Sequence, residues 1–322
     1  RLSLVRGVGK GTLISEVVLD EPTGVLVGAL QLPIASLDND QFSGIKITVS
    51  LPERRLFAYN AFTGAPLWDH APRLGDNISL LGADSFAERM GVSAPPVIHG
   101  DLVLVPCYEL AGRITMFVAA YDLQTGELAW RTRVVSGQQR VNLFGVHESE
   151  FNSAPLRVAD GKLIVLSQLG VVAALDIDSG EPIWETGYEQ YDLPRNNGNY
   201  TPQRDRAWQA TAPIIADQTI FATPVDSPDL VAFDLKTGEL LWSQRAYALD
   251  ADEFTLGLAG TLSGLDPSVW GLAAEGFAAS AYNRGGVDHL VAASRDKVWL
   301  GGDHLVAWTN AAGDLSSSKP TR

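Results

Sequence analysis

The segment 118–130, VAAYDLQTGELAW, contains the pattern that decides the fold. Apolar residues alternate up to Asp122, as they do in a strand with one buried face. Asp122 can accept hydrogen bonds from backbone N–H groups two residues on, and Gly126 can supply the positive φ that reverses the chain with a bulge. Trp130 then falls on a returning strand, where its large ring can be buried against a neighbour. The segment therefore predicts a β-hairpin.

Related segments recur along the whole chain, which indicates a repeat architecture. Their turn glycines are Gly24, Gly64, Gly126, Gly180, Gly238 and Gly313. The shortest separation, between Gly24 and Gly64, predicts the length of one structural unit. The residues predicted to form the turns and returning strands are Gly64, Trp68, Asp122, Gly126, Trp130, Asp176, Gly180, Trp184, Asp234, Gly238 and Trp242. The first and last copies depart from the pattern, with Gly28 and Ser317 in place of the tryptophan.

A second recurring element precedes these hairpins, with Ala-Pro, an apolar run, a polar turn and another apolar run. It begins at Ala94, Ala154 and Ala212. One unit is therefore strand, turn, strand, loop, strand, turn, strand, and four antiparallel strands repeated radially make a β-propeller blade. We predict an all-β protein in which one β-propeller domain spans residues 1–322 and contains about six blade motifs.

The pattern Ala-x-Asp-x-x-Thr-Gly-x-x-x-Trp resembles the tryptophan-docking repeat of the pyrroloquinoline-quinone-type propellers. That superfamily includes the quinoprotein alcohol dehydrogenases and the lipoprotein propeller of outer-membrane-protein assembly. The copy at Ala120, Asp122, Thr125, Gly126 and Trp130 matches fully. The resemblance implies a ring of seven or eight four-stranded blades, so six motifs predict part of a ring, and a compact complete ring is the alternative.

Among the members of this superfamily, the chain most resembles the non-catalytic assembly propellers. That resemblance implies an extracytoplasmic scaffold or ligand-binding module, periplasmic or in the cell envelope, whose partner is another protein or an envelope component. It implies no cofactor and no catalytic residues. The alternatives are an alcohol or sugar dehydrogenase that uses pyrroloquinoline quinone with calcium, or the sensor domain of a larger membrane-attached protein. Many of the dehydrogenases carry two adjacent cysteines, whereas Cys107 is the only cysteine here.

The long loops, at the opposite end of the strands from the short turns, hold the candidate binding residues, because loops on a rigid scaffold are where binding usually occurs. The first group could ligate a metal or act as a general base, or be a solvated turn, and it consists of His147, Glu148 and Glu150. The second group could bind a carboxylate, a sugar or a peptide, or be a hydrated crossing between blades with internal Arg–Asp pairs. It consists of Asn197, Asn199, Arg204 and Arg206 beside Trp208.

Composition excludes several other classes of function. The formal net charge is −14 and no segment is rich in Lys or Arg, which argues against nucleic-acid binding. A single cysteine excludes an intramolecular disulfide and a CxxC metal site, and it predicts a buried strand thiol at Cys107. The uncharged runs are too short to span a bilayer. The acidic segments 37–42 and 249–254 lack the glycine and closing glutamate of an EF-hand loop, so we predict no metal there.

Overall fold

Every regular element in the described part of the chain is a β-strand. The computed structural model describes residues 17–31, 54–70, 90–110, 113–137, 151–190, 208–245, 287–294, 297–302 and 305–309. Within those residues no helix is long and apolar enough to cross a membrane. The strands form five antiparallel sheets, which confirms the all-β prediction.

The first sheet has the order β1-β2-β3-β4. Its strands are β1 (Val17–Asp20), β2 (Val25–Gln31), β3 (Arg54–Asn60) and β4 (Pro66–Asp69). The turn at Gly24 joins β1 to β2, and the turn at Gly64 joins β3 to β4. The prediction that these two turns mark separate units, with the length of one unit between them, is therefore wrong. Both turns have the same local sequence signature, but they close two hairpins of one sheet.

The second sheet has four strand positions, the first of which is divided between two short strands. Both β5 and β6 pair with β7, one at each end of it. The strands are β5 (Gly91–Val92), β6 (Val97–His99), β7 (Leu102–Leu110), β8 (Ile114–Asp122) and β9 (Leu128–Gly137). Register shifts opposite Met116 and Phe117 and opposite Ala120 and Tyr121 mark bulges in β9, in agreement with the predicted bulged hairpin.

The third and fourth sheets each have four strands in sequence order. The third contains β10 (Arg157–Ala159), β11 (Lys162–Leu166), β12 (Val171–Asp176) and β13 (Pro182–Gly187). The fourth contains β14 (Ile214–Ala216), β15 (Thr219–Ala222), β16 (Asp229–Asp234) and β17 (Leu240–Arg245). The predicted unit of two hairpins joined by a loop is thus confirmed in both sheets.

The fifth sheet has three strands in the described residues, in the order β18-β19-β20. They are β18 (Val287–Ala293), β19 (Lys297–Gly302) and β20 (Val306–Thr309). The last turn motif, around Gly313 and Ser317, lies outside the described residues.

Middle strands are apolar on both faces because each face packs in a separate core. On β8, Met116 and Val118 belong to one cluster, whereas Ala119 and Tyr121 belong to another. The prediction of one buried face for the strand that ends at Asp122 is therefore wrong, because β8 is buried on both faces and double burial favours apolar residues at successive positions over alternation. Double burial also makes the sheet a layer between two cores, as a propeller blade is.

Two compact units divide the chain, the first comprising residues 1–169 and 175–183 and the second comprising residues 170–174 and 184–322. The first contains the cluster that includes Val27, Leu56 and Val105. The second contains a cluster formed by Phe221, Leu230 and Leu300 with their neighbours. The prediction of one domain over residues 1–322 stays a prediction.

Candidate functional site

Four turns that each close the second hairpin of a sheet share one geometry and are called the Gly turns below. They are Asn60–Gly64, Asp122–Gly126, Asp176–Gly180 and Asp234–Gly238. In the second of them Asp122 Oδ1 accepts hydrogen bonds from Gln124 N at 3.0 Å and Thr125 N at 2.8 Å, and Thr125 Oγ1 donates to it at 2.9 Å. Gly126 has a φ of 72° and its N–H donates to the carbonyl of Asp122 at 2.9 Å. The predicted Asx turn and positive-φ glycine are confirmed.

The aspartates of the Gly turns are stabilised as carboxylates by the turns themselves. The backbone N–H of Thr125 lowers the pKa of Asp122, helped by the Thr125 hydroxyl. Asp176 and Asp234 have lowered pKa values for the same reason, with Ser179 and Thr237 as the main donors. These carboxylates are therefore held by local turn bonds, and their arrangement indicates a structural role.

A tryptophan from the preceding sheet lies on the glycine of each of three Gly turns. A Cβ added to Gly180 would lie 2.3 Å from Cε3 of Trp130, far inside van der Waals contact. The matching contacts are Trp68 on Gly126 and Trp184 on Gly238. Only glycine leaves room for an indole ring at this distance, so the glycine and the tryptophan of successive copies require each other.

Hydrogen bonds accompany two of these ring contacts. The indole N–H of Trp68 donates to the carbonyl of Leu123 at 3.0 Å, and that of Trp184 donates to the carbonyl of Leu235 at 3.2 Å. Each acceptor directly follows the aspartate of the Gly turn. The indole N–H of Trp130 makes no hydrogen bond within the described residues.

The residue two positions after the tryptophan also contacts the next Gly turn. Thr132 Oγ1 donates to the carbonyl of Gly180 at 2.6 Å, and Thr186 Oγ1 donates to the carbonyl of Gly238 at 2.7 Å. His70 Nε2 lies 3.1 Å from the carbonyl oxygen of Gly126 in the corresponding position. The sequence pattern did not include this position, although a polar residue two places after each of these tryptophans was its visible signal.

The first-hairpin turn and the Gly turn lie at the same end of each of three sheets. The N–H of Leu123 donates to Asp101, that of Ile177 to Gly161 and that of Leu235 to Gln218. The loops between the second and third strands are therefore at the opposite end, because antiparallel strands alternate in direction. This arrangement agrees with the prediction that short turns and long loops lie on different sides.

Most predicted binding residues lie outside the described residues. They are His147, Glu148, Glu150, Asn197, Asn199, Arg204 and Arg206. The acidic segments 37–42 and 249–254 also lie outside them. Trp208 is 2% exposed and packs with Phe221 and Leu230 in a core of the second unit. The loop-face site stays a prediction.

A second polar cluster, absent from the sequence predictions, lies at the loop end of the third and fourth sheets. Asp226 accepts hydrogen bonds from Tyr188 Oη at 2.7 Å, Gln190 Nε2 at 2.7 Å and Gly170 N at 2.8 Å. Tyr188 is buried and Asp226 is half-buried. Burial raises the pKa of Asp226, and the bonds from Gln190, Tyr188 and Gly170 oppose that shift. Asp226 thus joins three loop-end segments of the second unit through one carboxylate.

The Asp226 cluster predicts a specific pH dependence of stability. Because the pKa of Asp226 is raised in the folded protein, the folded state binds the proton more tightly than the unfolded chain does. Its contribution to stability is therefore full below the ordinary carboxyl pKa of 3.8 and is lost as the pH rises through the raised value. In urea unfolding, the stability of the parent protein relative to Asp226→Asn should fall as the pH is raised from 4. A difference that is constant with pH would contradict this prediction.

Cys107 lies in the core that contains Val27, Leu56 and Val105 and is not a reactive thiol. Its side chain is fully buried, and burial raises the pKa of the thiol far above its ordinary range. The predicted buried strand thiol is confirmed. Within the described ranges no group of three or more His, Cys, Asp or Glu side chains could hold a metal ion.

Comparison with known proteins identifies the repeats. A family model described as "Outer membrane protein assembly factor BamB" matches residues 115–268. The quinoprotein ethanol dehydrogenase of Pseudomonas aeruginosa is 29% identical over 163 residues, which cover 47% of this chain and 23% of the dehydrogenase. Both matches support a pyrroloquinoline-quinone-like β-propeller family, which confirms the resemblance predicted from the turn motifs.

Two solved structures resemble the chain more distantly. BamB from Moraxella catarrhalis has 16% identity and a TM-score of 0.39, with 94% of this chain and 75% of that chain covered. The quinohemoprotein alcohol dehydrogenase ADHIIG from Pseudomonas putida HK5 has 18% identity and a TM-score of 0.39, with 69% and 33% covered. The description of the fold therefore rests on the sheets and turns above.

Proposed function

We propose that the protein is a non-catalytic, extracytoplasmic β-propeller that acts as a protein-interaction scaffold or a ligand-binding module. The observation that carries the proposal is the match of residues 115–268 to the model described by an outer membrane protein assembly factor. The use of the repeated Asp, Gly and Trp residues in turn and packing contacts supports it. These residues stabilise a framework, which leaves the loops free to differ.

In this proposal, the contact of Trp68, Trp130 and Trp184 with the next Gly turn is the docking of one blade on its neighbour. The sheets are then blades of a larger ring, of seven or eight blades in the superfamily. A ring stacked through such contacts is rigid, and rigidity favours binding because loops on a fixed framework lose less entropy when a partner binds.

The binding surface in this proposal is the loop face, with Arg204 and Arg206 as its charged anchors. Guanidinium groups bind carboxylates in a bidentate manner, so an acidic peptide segment or envelope component is a suitable partner. His147, Glu148 and Glu150 are a separate group of candidate binding residues in this proposal.

A retention experiment on envelope extract tests the scaffold function. The immobilised protein should retain a defined partner, and Arg204→Ala with Arg206→Ala should weaken the affinity for that partner about tenfold, the effect of losing roughly 1.4 kcal/mol of binding free energy. Lys236→Ala is the matched control, since Lys236 is an exposed cation in a Gly turn at the other end of its sheet. Retention of no partner by the folded protein would contradict the scaffold function.

A quinone-dependent dehydrogenase is the second candidate, because of the 29% identity to a quinoprotein ethanol dehydrogenase. The described residues do not supply the ligands that pyrroloquinoline quinone with calcium would need. They contain no metal-binding cluster of His, Cys, Asp or Glu, and their one cysteine, Cys107, is buried. No catalytic step is therefore derived. Titration of the protein with pyrroloquinoline quinone and calcium, followed by absorbance, thermal shift and dye reduction, separates the two candidates, and saturable binding with turnover would favour the dehydrogenase.

A further inference from the structure

We propose that Asp226 and Asp288 are positioning residues that hold the two ends of the segment 191–207, which carries the loop-face residues Arg204 and Arg206. The inference rests on the proposed function for the role of the two arginines, and it deepens that function by naming the residues that support them. The segment lies outside the described residues, whereas both aspartates and the residues at both ends of the segment lie within them. All the contacts that carry the inference lie within the second unit.

The residue before the segment is held by a carboxylate of the fourth sheet. Gln190 Nε2 donates to Asp226 Oδ2 at 2.7 Å, although Gln190 is exposed. The same oxygen accepts the N–H of Gly170 at 2.8 Å, so Asp226 joins Gln190 to the turn between β11 and β12. An exposed glutamine loses rotamer entropy when it is ordered, and the bond to the carboxylate offsets that loss.

Gly170 provides the space for this contact. A Cβ added to it would lie 2.7 Å from Cδ of Gln190 and 2.9 Å from its Oε1, so only glycine lets the amide lie here. The carbonyl of Gly170 accepts the N–H of Tyr188 at 3.0 Å, and Tyr188 Oη donates to Asp226 Oδ1 at 2.7 Å. The chain is thus bound at Tyr188 and again at Gln190, immediately before the segment begins.

The other end of the segment is held by Asp288 on β18. Gln209 Nε2 donates to Asp288 Oδ2 at 2.5 Å, and the backbone N–H of Gln209 donates to the carbonyl of Asp288 at 2.6 Å. His289 Nδ1 lies 2.5 Å from the second carboxylate oxygen, Oδ1. Trp208, which directly follows the segment, is buried in the core with Phe221. This end is therefore fixed by a side-chain pair and by a buried ring.

Both ends of the segment use the same chemistry. In each case an exposed glutamine donates an amide N–H to an aspartate that is distant in the sequence. Hydrogen bonds to a charged acceptor are stronger than those between neutral groups. Fixing the two ends of a segment reduces the entropy that the segment loses when a ligand orders it. Asp226 and Asp288 therefore raise the affinity of Arg204 and Arg206 for a carboxylate ligand without contacting that ligand.

The charge on Asp226 distinguishes positioning from a general contribution to stability. Asp226 is faced by the Gln190 amide, the Gly170 N–H and the hydroxyl of Tyr188, the one titratable group among these three, while Glu189 is exposed. Burial raises the pKa of Asp226. A protonated carboxyl has fewer acceptor sites than a carboxylate, so the bond to Gln190 should strengthen as the pH rises through the raised pKa. Stability should fall over the same range because the buried group becomes charged, and the two effects therefore have opposite signs.

Limited digestion of the intact protein with trypsin tests the anchoring without any ligand. The segment contains trypsin sites after Arg195, Arg204 and Arg206. Gln190→Leu should raise the initial rate of cleavage at these sites about tenfold, in a protein that circular dichroism shows to be folded. Gln124→Leu is the matched control, since Gln124 is an exposed glutamine in a Gly turn, and it should leave the rate unchanged. Equal cleavage of the parent and Gln190→Leu would overturn the proposal.

Fluorescein-labelled hexaglutamate, followed by fluorescence anisotropy, is the probe for the effect on binding. Asp226→Asn and Asp288→Asn should each weaken its affinity about tenfold. Loss of a negative charge would by itself tighten the binding of an anionic probe, so weaker binding identifies positioning rather than net charge. Asp178→Asn, at an exposed site in the Gly turn of the third sheet, is the charge-matched control and should not weaken binding. Unchanged or tighter binding by Asp226→Asn and Asp288→Asn would overturn the proposal.

The pH profile of probe binding gives the readout that a merely structural role would not produce. The ratio of the affinities of the parent and Asp226→Asn should rise as the pH passes through the raised pKa of Asp226, and taking the ratio at each pH cancels the titration of the probe. A ratio that is constant or falls with pH would overturn the proposal. A parent protein that does not bind hexaglutamate would contradict the loop-face function, whereas the trypsin result would still decide the anchoring. The two failures are therefore distinguishable.

Discussion

A Trp130→Ala substitution is expected to lower the free energy of unfolding by about 3–5 kcal/mol. The ring of Trp130 packs against the core that contains Met116 and Val118 and covers Gly180, so its removal leaves a cavity between two sheets. Its indole N–H makes no hydrogen bond in the described part of the chain, and therefore the loss is one of packing. Urea unfolding followed by circular dichroism measures the effect without relying on tryptophan fluorescence.

Leu128→Ala is the control for this substitution, because Leu128 lies on the same strand and is 37% exposed. It should cost less than Trp130→Ala, about 1–2 kcal/mol, since its smaller side chain keeps 37% of its surface exposed. A Trp130→Ala protein of unchanged stability would contradict the packing role. So would a fully folded variant that has selectively lost partner binding, because Trp130 then would be a recognition residue.

The Gly turns were predictable because their chemistry is local. Asp122, Thr125 and Gly126 form their bonds within five residues, and the residue types alone determine the turn. The strands are likewise indicated by short apolar runs bounded by turn residues. These features let the sequence identify the hairpins, the all-β class and the family of the repeats.

The assignment of Gly24 to a separate unit was wrong because the turn signature is purely local. Its turn has the signature of the Gly turns, with Thr23 bonded to Asp20, but a turn signature does not say which hairpin of a sheet it closes. Only the pairing of β2 with β3 shows that Gly24 and Gly64 belong together. The missing tryptophan at Gly28 was the available signal that this hairpin differs.

Contacts between sheets were beyond the sequence because they join distant residues. The bond from Thr132 to Gly180 spans 48 residues, and that from Gly170 to Asp226 spans 56. Trp208 shows the same limit for the candidate site. An aromatic residue beside arginines in the sequence can line a pocket or fill a core, and burial of the ring in the second unit is a tertiary property.

A Gly180→Ala substitution is expected to lower the free energy of unfolding by about 2–5 kcal/mol. Two costs combine in this estimate. The residue has a φ of 73°, which costs a non-glycine residue about 1–2 kcal/mol. Its new Cβ would also lie 2.3 Å from the Trp130 ring, and such overpacking costs about 1–3 kcal/mol. Urea unfolding gives the total.

Gly64→Ala separates the two costs. Gly64 has nearly the same φ, 72°, but its added Cβ meets nothing within 4 Å among the described residues. It should therefore show only the backbone cost of about 1–2 kcal/mol. The excess in Gly180→Ala over Gly64→Ala then measures the contact between the turn and the tryptophan of the preceding sheet. Equal effects of the two substitutions would mean that the ring moves aside freely.

A double-mutant cycle decides whether that excess belongs to Trp130. In a Trp130→Ala background, Gly180→Ala no longer drives a Cβ into a ring, so it should cost only what Gly64→Ala costs. The two substitutions should thus be less than additive by about 1–3 kcal/mol, as expected for residues in direct contact. Additive effects would show that the glycine is required by the backbone of its own turn alone.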